Sequence, residues 1–161
     1  MTESLPAYLK RRAARSLEYL LREAEAVSAE EARRGRRSDW PAQPWGIGQD
    51  GSIAGIVCHV AAWKQITLPL LDGTHPPAAH DDLPHFNSDD WPAVLAWLRS
   101  IGETWLSALE ALPDTEFDSP RDWEGGQITV ARLATELVQH DVQHAAQIEY
   151  LRQLYSVEEK A

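Results

Sequence analysis

Between Val130 and Tyr155 the chain repeats its apolar residues at helical spacing, and one stripe runs Val130, Leu133, Leu137, His140, His144, Ile148, Leu151, Tyr155. No Pro or Gly interrupts it. A stripe this long commits the segment to a helix that must bury one face against other helices. His140 and His144 fall on that inward face. Residues at i and i+4 stand one above the other on the same side of a helix, so both rings can converge on one atom. An H-x-x-x-H pair on a core-facing stripe is a candidate metal site.

Three further helices are predicted. Leu5 to about Ala32 carries Leu5, Leu9, Ala13, Ser16, Leu17, Leu20, Ala24 and Val27 on one face, with Gly35 as a stop signal. Ser52 caps a second helix, Ile53 to about Leu71. Its stripe is Ile56, His59, Trp63, Ile66 and Leu70, with Ile53, Val57 and Val60 beside it, so His59 also points inward. Pro69 should kink or fray the last turn. A third helix opens at Ser88 and runs to about Leu112, with Val94, Trp97, Leu98, Ile101, Trp105 and Leu109 inward and Pro113 ending it. Residues 35–51, 72–87 and 113–127 are Pro- and Gly-bearing connections, long for a bundle. The expectation is an all-α four-helix bundle, one domain over residues 1–161, with crossed topology.

The formal charge of −10 is uneven: residues 1–40 hold nine Lys and Arg against seven acidic residues, and residues 41–161 hold six against eighteen. An acidic body repels phosphate backbones, so nucleic acid is not an expected partner. No apolar run approaches a membrane span, and the N-terminus has no apolar segment behind its charges. A lone Cys58 leaves no disulfide framework and no multi-cysteine zinc site. The expected location is the cytoplasm, without membrane contact.

His59, His140 and His144 thus share one core. Unpartnered buried imidazoles would cost on the order of 1–3 kcal/mol each. Coordination to a divalent ion removes that cost, and so do hydrogen bonds to backbone or among the rings. Both readings stay open on the residues alone. His75, His80 and His85 have no register that would aim them at one point and read as loop histidines. Other metal motifs fit less well. Glu136 lies four residues before His140, where a di-iron bundle needs three, and Asp141 is a short substitute for the zincin glutamate.

Ser52-Ile-Ala-Gly-Ile-Val-Cys-His59-Val-Ala-Ala-Trp63, Trp123-Glu-Gly-Gly-Gln-Ile-Thr129 and Gln139-His140-Asp-Val-Gln-His144-Ala-Ala-Gln147-Ile148 together resemble the DinB/YfiT-like superfamily. The resemblance runs in order over nearly the whole chain. It implies a four-helix bundle of up-down-down-up topology, often dimeric, with a three-histidine site for Zn²⁺, Ni²⁺ or a similar ion. Carried over by position, the ligands are His59, His140 and His144. Better-understood members are transferases and isomerases that use bacillithiol, mycothiol or glutathione. What this implies here is a metal-dependent S-transferase or isomerase acting on a small electrophile with a low-molecular-weight thiol, in a homodimer. A non-catalytic stress-response or binding protein with a structural metal, and a metal-dependent hydrolase, are the alternatives.

Around such a site, Glu136 and Gln147 flank the histidine stripe and could orient an imidazole N–H. Asp141 lies about 100° around the helix from His140, either supporting the site or facing solvent. Cys58 reads as a small buried residue. Of the seven tryptophans, Trp63, Trp97 and Trp105 fall on core stripes. Trp40, Trp45, Trp91 and Trp123 lie at loops or helix ends, and Trp45 and Trp123 are the candidates for substrate contact.

Overall fold

A computed structural model describes residues 3–35, 51–74, 90–123 and 125–158. The predicted connections at 35–51 and 72–87 lie largely outside these residues, as do Trp40, Trp45, His75, His80 and His85.

Helix α1 spans Leu5–Glu25, its first turn capped by Ser4, whose Oγ accepts the Ala7 N–H at 3.3 Å. The predicted continuation to Ala32 is corrected: the chain breaks at Ala26–Ser28 and restarts as α2, Ala29–Arg33. A capping box causes the restart. The Glu31 N–H donates to Ser28 Oγ at 3.2 Å, and the Ser28 N–H donates to Glu31 Oε2 at 2.8 Å. The break frees the Val27 carbonyl, which accepts the Trp91 indole N–H at 3.0 Å and ties the end of α1 to the start of the helix that opens at Trp91.

Helix α3, Ile53–Leu71, begins where predicted, with Ser52 Oγ accepting the Gly55 N–H at 3.0 Å. Its most buried face is not the predicted stripe but the one beside it, Ile53, Val57, Val60, Lys64, Thr67 and Leu71, each at most 2% exposed. Among the described residues α3 is the one helix long and apolar enough to cross a membrane, but 67% of its most apolar window is buried, so that apolarity serves the core. Helix α4, Trp91–Ala111, starts three residues after the predicted Ser88, because Asp90 supplies the cap to the Ala93 N–H at 3.2 Å.

The span predicted as a plain connection holds structure. A 3-10 turn, Asp114–Asp118, leads into an antiparallel hairpin of β1, Pro120–Trp123, and β2, Gly126–Thr129, with Trp123 opposite Gly126. The tight turn places Gly125 at φ 79°, a left-handed conformation that glycine adopts without a Cβ penalty. Helix α5, Val130–Glu158, follows directly, with Thr129 Oγ1 accepting the Arg132 N–H at 3.2 Å.

Cross-helix bonds give the directions. Along α1 and α5 the partners rise together (Ser16 with Asp141, Tyr19 with Glu149, Glu23 with Arg152), so these helices are parallel. Lys10 near the start of α1 donates to the Leu112 carbonyl beyond the end of α4, while Val27 meets Trp91, so α1 and α4 are antiparallel. Gln65 and Thr67 of α3 meet Trp97 and Trp105 of α4 in the same order, a parallel pair. His59 faces His140, and Arg121, ahead of α5, donates to Leu70 near the end of α3, so α3 and α5 are antiparallel. Among the described residues the bundle is all-α apart from the hairpin, and its topology is up-down-down-up.

Two apolar clusters fill it. One joins the end of α1 to the starts of α3 and α4 and the later half of α5; the other joins the start of α1 to the ends of α3 and α4 and the first half of α5. Leu20 sits fully buried in the former, whereas Leu5, on the same predicted stripe, is 55% exposed. Leu20→Ala is therefore expected to cost about 2–5 kcal/mol and Leu5→Ala under about 0.5 kcal/mol, read from urea unfolding midpoints.

Candidate metal centre

His140 and His144 lie one turn apart on α5, and the antiparallel run of α3 sets His59 against both. The His140 and His59 Nε2 atoms are 3.0 Å apart, and those of His144 and His140 are 3.2 Å apart. The three rings thus turn the same nitrogen toward a common point, with ligand atoms all within 4.8 Å of one another. Ligands on a tetrahedral ion with Zn–N of about 2.0–2.1 Å would stand about 3.3–3.4 Å apart, so these two separations are close to those of ligands sharing an ion and are also hydrogen-bond distances between the rings.

The outward nitrogens differ. His144 Nδ1 lies 2.7 Å from Gln147 Oε1, so with the amide oxygen as acceptor the proton stays on Nδ1 and the Nε2 lone pair faces inward. His140 Nδ1 is buried with no hydrogen-bond partner among the described residues, which leaves its polar contacts on the Nε2 side. His144 is buried, and His59 and His140 are half-buried.

Burial disfavours the charged form of all three rings. It pushes His59 from 6.5 to about 4, helped by the charge of His144. It pushes His140 to about 3, with His144, His59 and Lys64 acting in the same direction. His144 is also lowered by burial, opposed by its bond to Gln147 and by the Asp141 carboxylate. Three neutral imidazoles aimed at one point are a fitting donor set for a divalent cation.

A cleft of about 610 Å³ opens onto the cluster, lined by the three histidines with Gly51, Ile56, Gln143, Gln147, Tyr150 and Leu151. On another side the Trp63 ring stands edge-on to His59 at 6.3 Å and to His140 at 6.1 Å between centroids. Trp123, half-buried on β1, packs against Trp63 at 5.9 Å. It backs the site through Trp63 and is not among the residues lining this cleft. Trp45 lies outside the described residues.

Of the residues predicted to flank the site, Gln147 meets His144. Glu136 does not reach it: its carboxylate takes Arg132 at 2.8 Å on the exposed face of α5. Asp141 neither touches an imidazole nor faces solvent. It is 2% exposed, with its two oxygens 2.7 and 2.8 Å from the Lys64 ammonium and one of them accepting the Ser16 hydroxyl at 3.2 Å. Cys58 is buried, as expected. The residue that sequence reasoning missed is Lys64. The available signal was a lysine at the centre of the run Ile53, Val57, Val60, Thr67, Leu71, where a solvated side chain has no place.

The depressed imidazoles link proton uptake to folding. Below about pH 6.5 the unfolded chain binds protons at these rings, and the metal-free fold resists doing so until about 4 at His59 and about 3 at His140. Their contribution to stability is therefore complete above the unfolded value and declines as the pH falls. Urea unfolding of the chelator-treated protein should show stability dropping from pH 6.5 toward 5, with a shallower slope in the His59→Leu/His140→Leu variant. A profile of equal slope in both proteins would contradict this account.

None of the curated proteins compared with this chain matches it. A family model described as the DinB superfamily matches residues 12–148, a span that contains His59, His140 and His144 and reaches from α1 into the second half of α5. The chain belongs to the DinB superfamily.

Proposed function

We propose that this protein is a metal-dependent enzyme in which His59, His140 and His144 hold one divalent ion, zinc or nickel, and that it uses a low-molecular-weight thiol to transfer to, or isomerise, a small electrophile. The observation that carries this reading is the convergence of three neutral ring nitrogens at the floor of an open cleft. Three protein ligands leave a coordination position for an exogenous group, whereas a structural zinc site is normally closed by four. An ion held by uncharged ligands keeps its full charge and lowers the pKa of a thiol presented to it.

The chain's own residues supply the rest. Gln147 holds the His144 ring in the tautomer that donates its lone pair inward. The Trp63 ring borders His59 and His140, and His140 Nδ1 is buried. Ile56, Tyr150 and Leu151 offer apolar wall to a substrate, and Gln143 offers a neutral hydrogen-bonding group. Among the described residues no carboxylate lines the cleft. The better-understood members of the superfamily that the chain resembles are thiol-dependent transferases and isomerases, which supports a thiol as the exogenous group.

The purified protein should carry about one equivalent of divalent metal, and His140→Ala or His144→Ala should lose it. Gln147→Leu should keep the fold and weaken metal affinity about 10–100-fold, as measured by chelator competition. Equal trace metal in wild type and the histidine variants would sink the metal reading. A loaded wild type that conjugates none of a panel of thiols to a reactive electrophile would instead leave a non-catalytic metal protein.

A further inference from the structure

Behind the imidazoles lies an ion pair that the proposed chemistry does not use. Lys64 and Asp141 are each 2% exposed, and the ammonium contacts both carboxylate oxygens. Ser16 of α1 donates to the same carboxylate, and the Trp105 ring of α4 lies 5.4 Å from the ammonium. Asp141 is the residue next to His140, and Lys64 follows Trp63, whose ring borders His59 and His140. We propose that this buried pair sets the electrostatic potential at the three-imidazole site, with Asp141 cancelling an ammonium that would otherwise repel the cation. The inference rests on the metal reading above.

The argument is one of charge and distance. A buried charge beside a bound cation is poorly screened by water, so its sign is felt at the site. Asp141 adjoins His140 on α5 and Lys64 adjoins Trp63 on α3, whose ring borders His59 and His140, so both charges stand beside the site, the carboxylate favouring positive charge there and the ammonium disfavouring it. The two charges act on the site in opposite senses and nearly cancel while paired. A pair that only pinned the helices together would couple to metal binding through stability alone. One that sets the potential must give effects of opposite sign.

Zinc affinity by competition with a chromophoric chelator, together with the thermal midpoint of the metal-free protein, tests this. Asp141→Asn, which leaves the ammonium uncompensated, is expected to weaken zinc binding by about tenfold or more, and Lys64→Met to strengthen it by a similar factor. The neutral double variant Lys64→Met/Asp141→Asn should bind within about threefold of wild type. If both single variants weaken zinc binding in step with their lowered midpoints, the pair is only a packing device and the proposal is overturned. Should one single variant not fold, the double variant replaces wild type as the reference, and the remaining single variant must still shift in its stated direction. Should neither fold, a double variant binding more than about threefold weaker than wild type overturns the proposal. A wild type that takes up no zinc overturns this inference and the metal reading together; zinc uptake with same-sign shifts overturns this inference alone.

Discussion

At the middle of the bundle, where packing alone would place a leucine, α3 presents an ammonium and α5 a carboxylate. Removing both charges from water carries a penalty of several kcal/mol per ion, and a close pair offsets it only when further bonds complete the geometry. The completion here comes from the other two helices: α1 contributes the Ser16 hydroxyl, and α4 contributes the Trp105 ring, whose N–H is in turn bound by Thr67 of α3 at 3.1 Å. All four long helices therefore meet at one polar junction. A slide of α5 along α3 by a single residue, about 1.5 Å, would pull the carboxylate out of contact and strand two buried charges. Apolar contacts tolerate such slips far better than this pair does.

The histidine cluster inherits that alignment. His140 precedes Asp141 on α5, and His59 lies five residues before Lys64 on α3, so whatever holds the ion pair in register also holds the ring nitrogens near 3 Å from one another. The apolar clusters at the two ends of the bundle carry the bulk of the burial. The polar centre between them loses its partners in any packing that shifts α5 against α3. Burial then keeps the imidazoles neutral, and neutrality keeps their lone pairs available. Stability and chemistry meet in the same few residues, on adjacent faces of one turn of α5.

Much of this was legible in the residues themselves. The helical repeat identified four long helices, and Ser52 marked the start of α3 as it stands. The i, i+4 spacing placed His140 and His144 together, and Gln147 could be suspected because it lies one turn beyond His144. What escaped has local causes. The break after α1 turns on the Ser28–Glu31 capping box, a four-residue signal submerged in a strongly periodic helix. The hairpin before α5 is only four residues per strand, too short for alternation to stand out. The exposed end of α1 at Leu5 shows that a stripe marks a face and not how far its neighbours extend.

The chain's own order of residues determined which segments are helical, which face of each is apolar, and that two imidazoles share a turn, because those properties follow from a repeat set by backbone geometry. His59 was expected beside them from its inward stripe and from the superfamily resemblance, but only the packed bundle decided how near its ring stands, that Asp141 looks into the core rather than out to water, and that Lys64 is its partner. Those are relations between helices, settled by the direction and rotation of α3 against α5. No pattern within either segment encodes them; they arise when burial forces each charged group to find its counterpart.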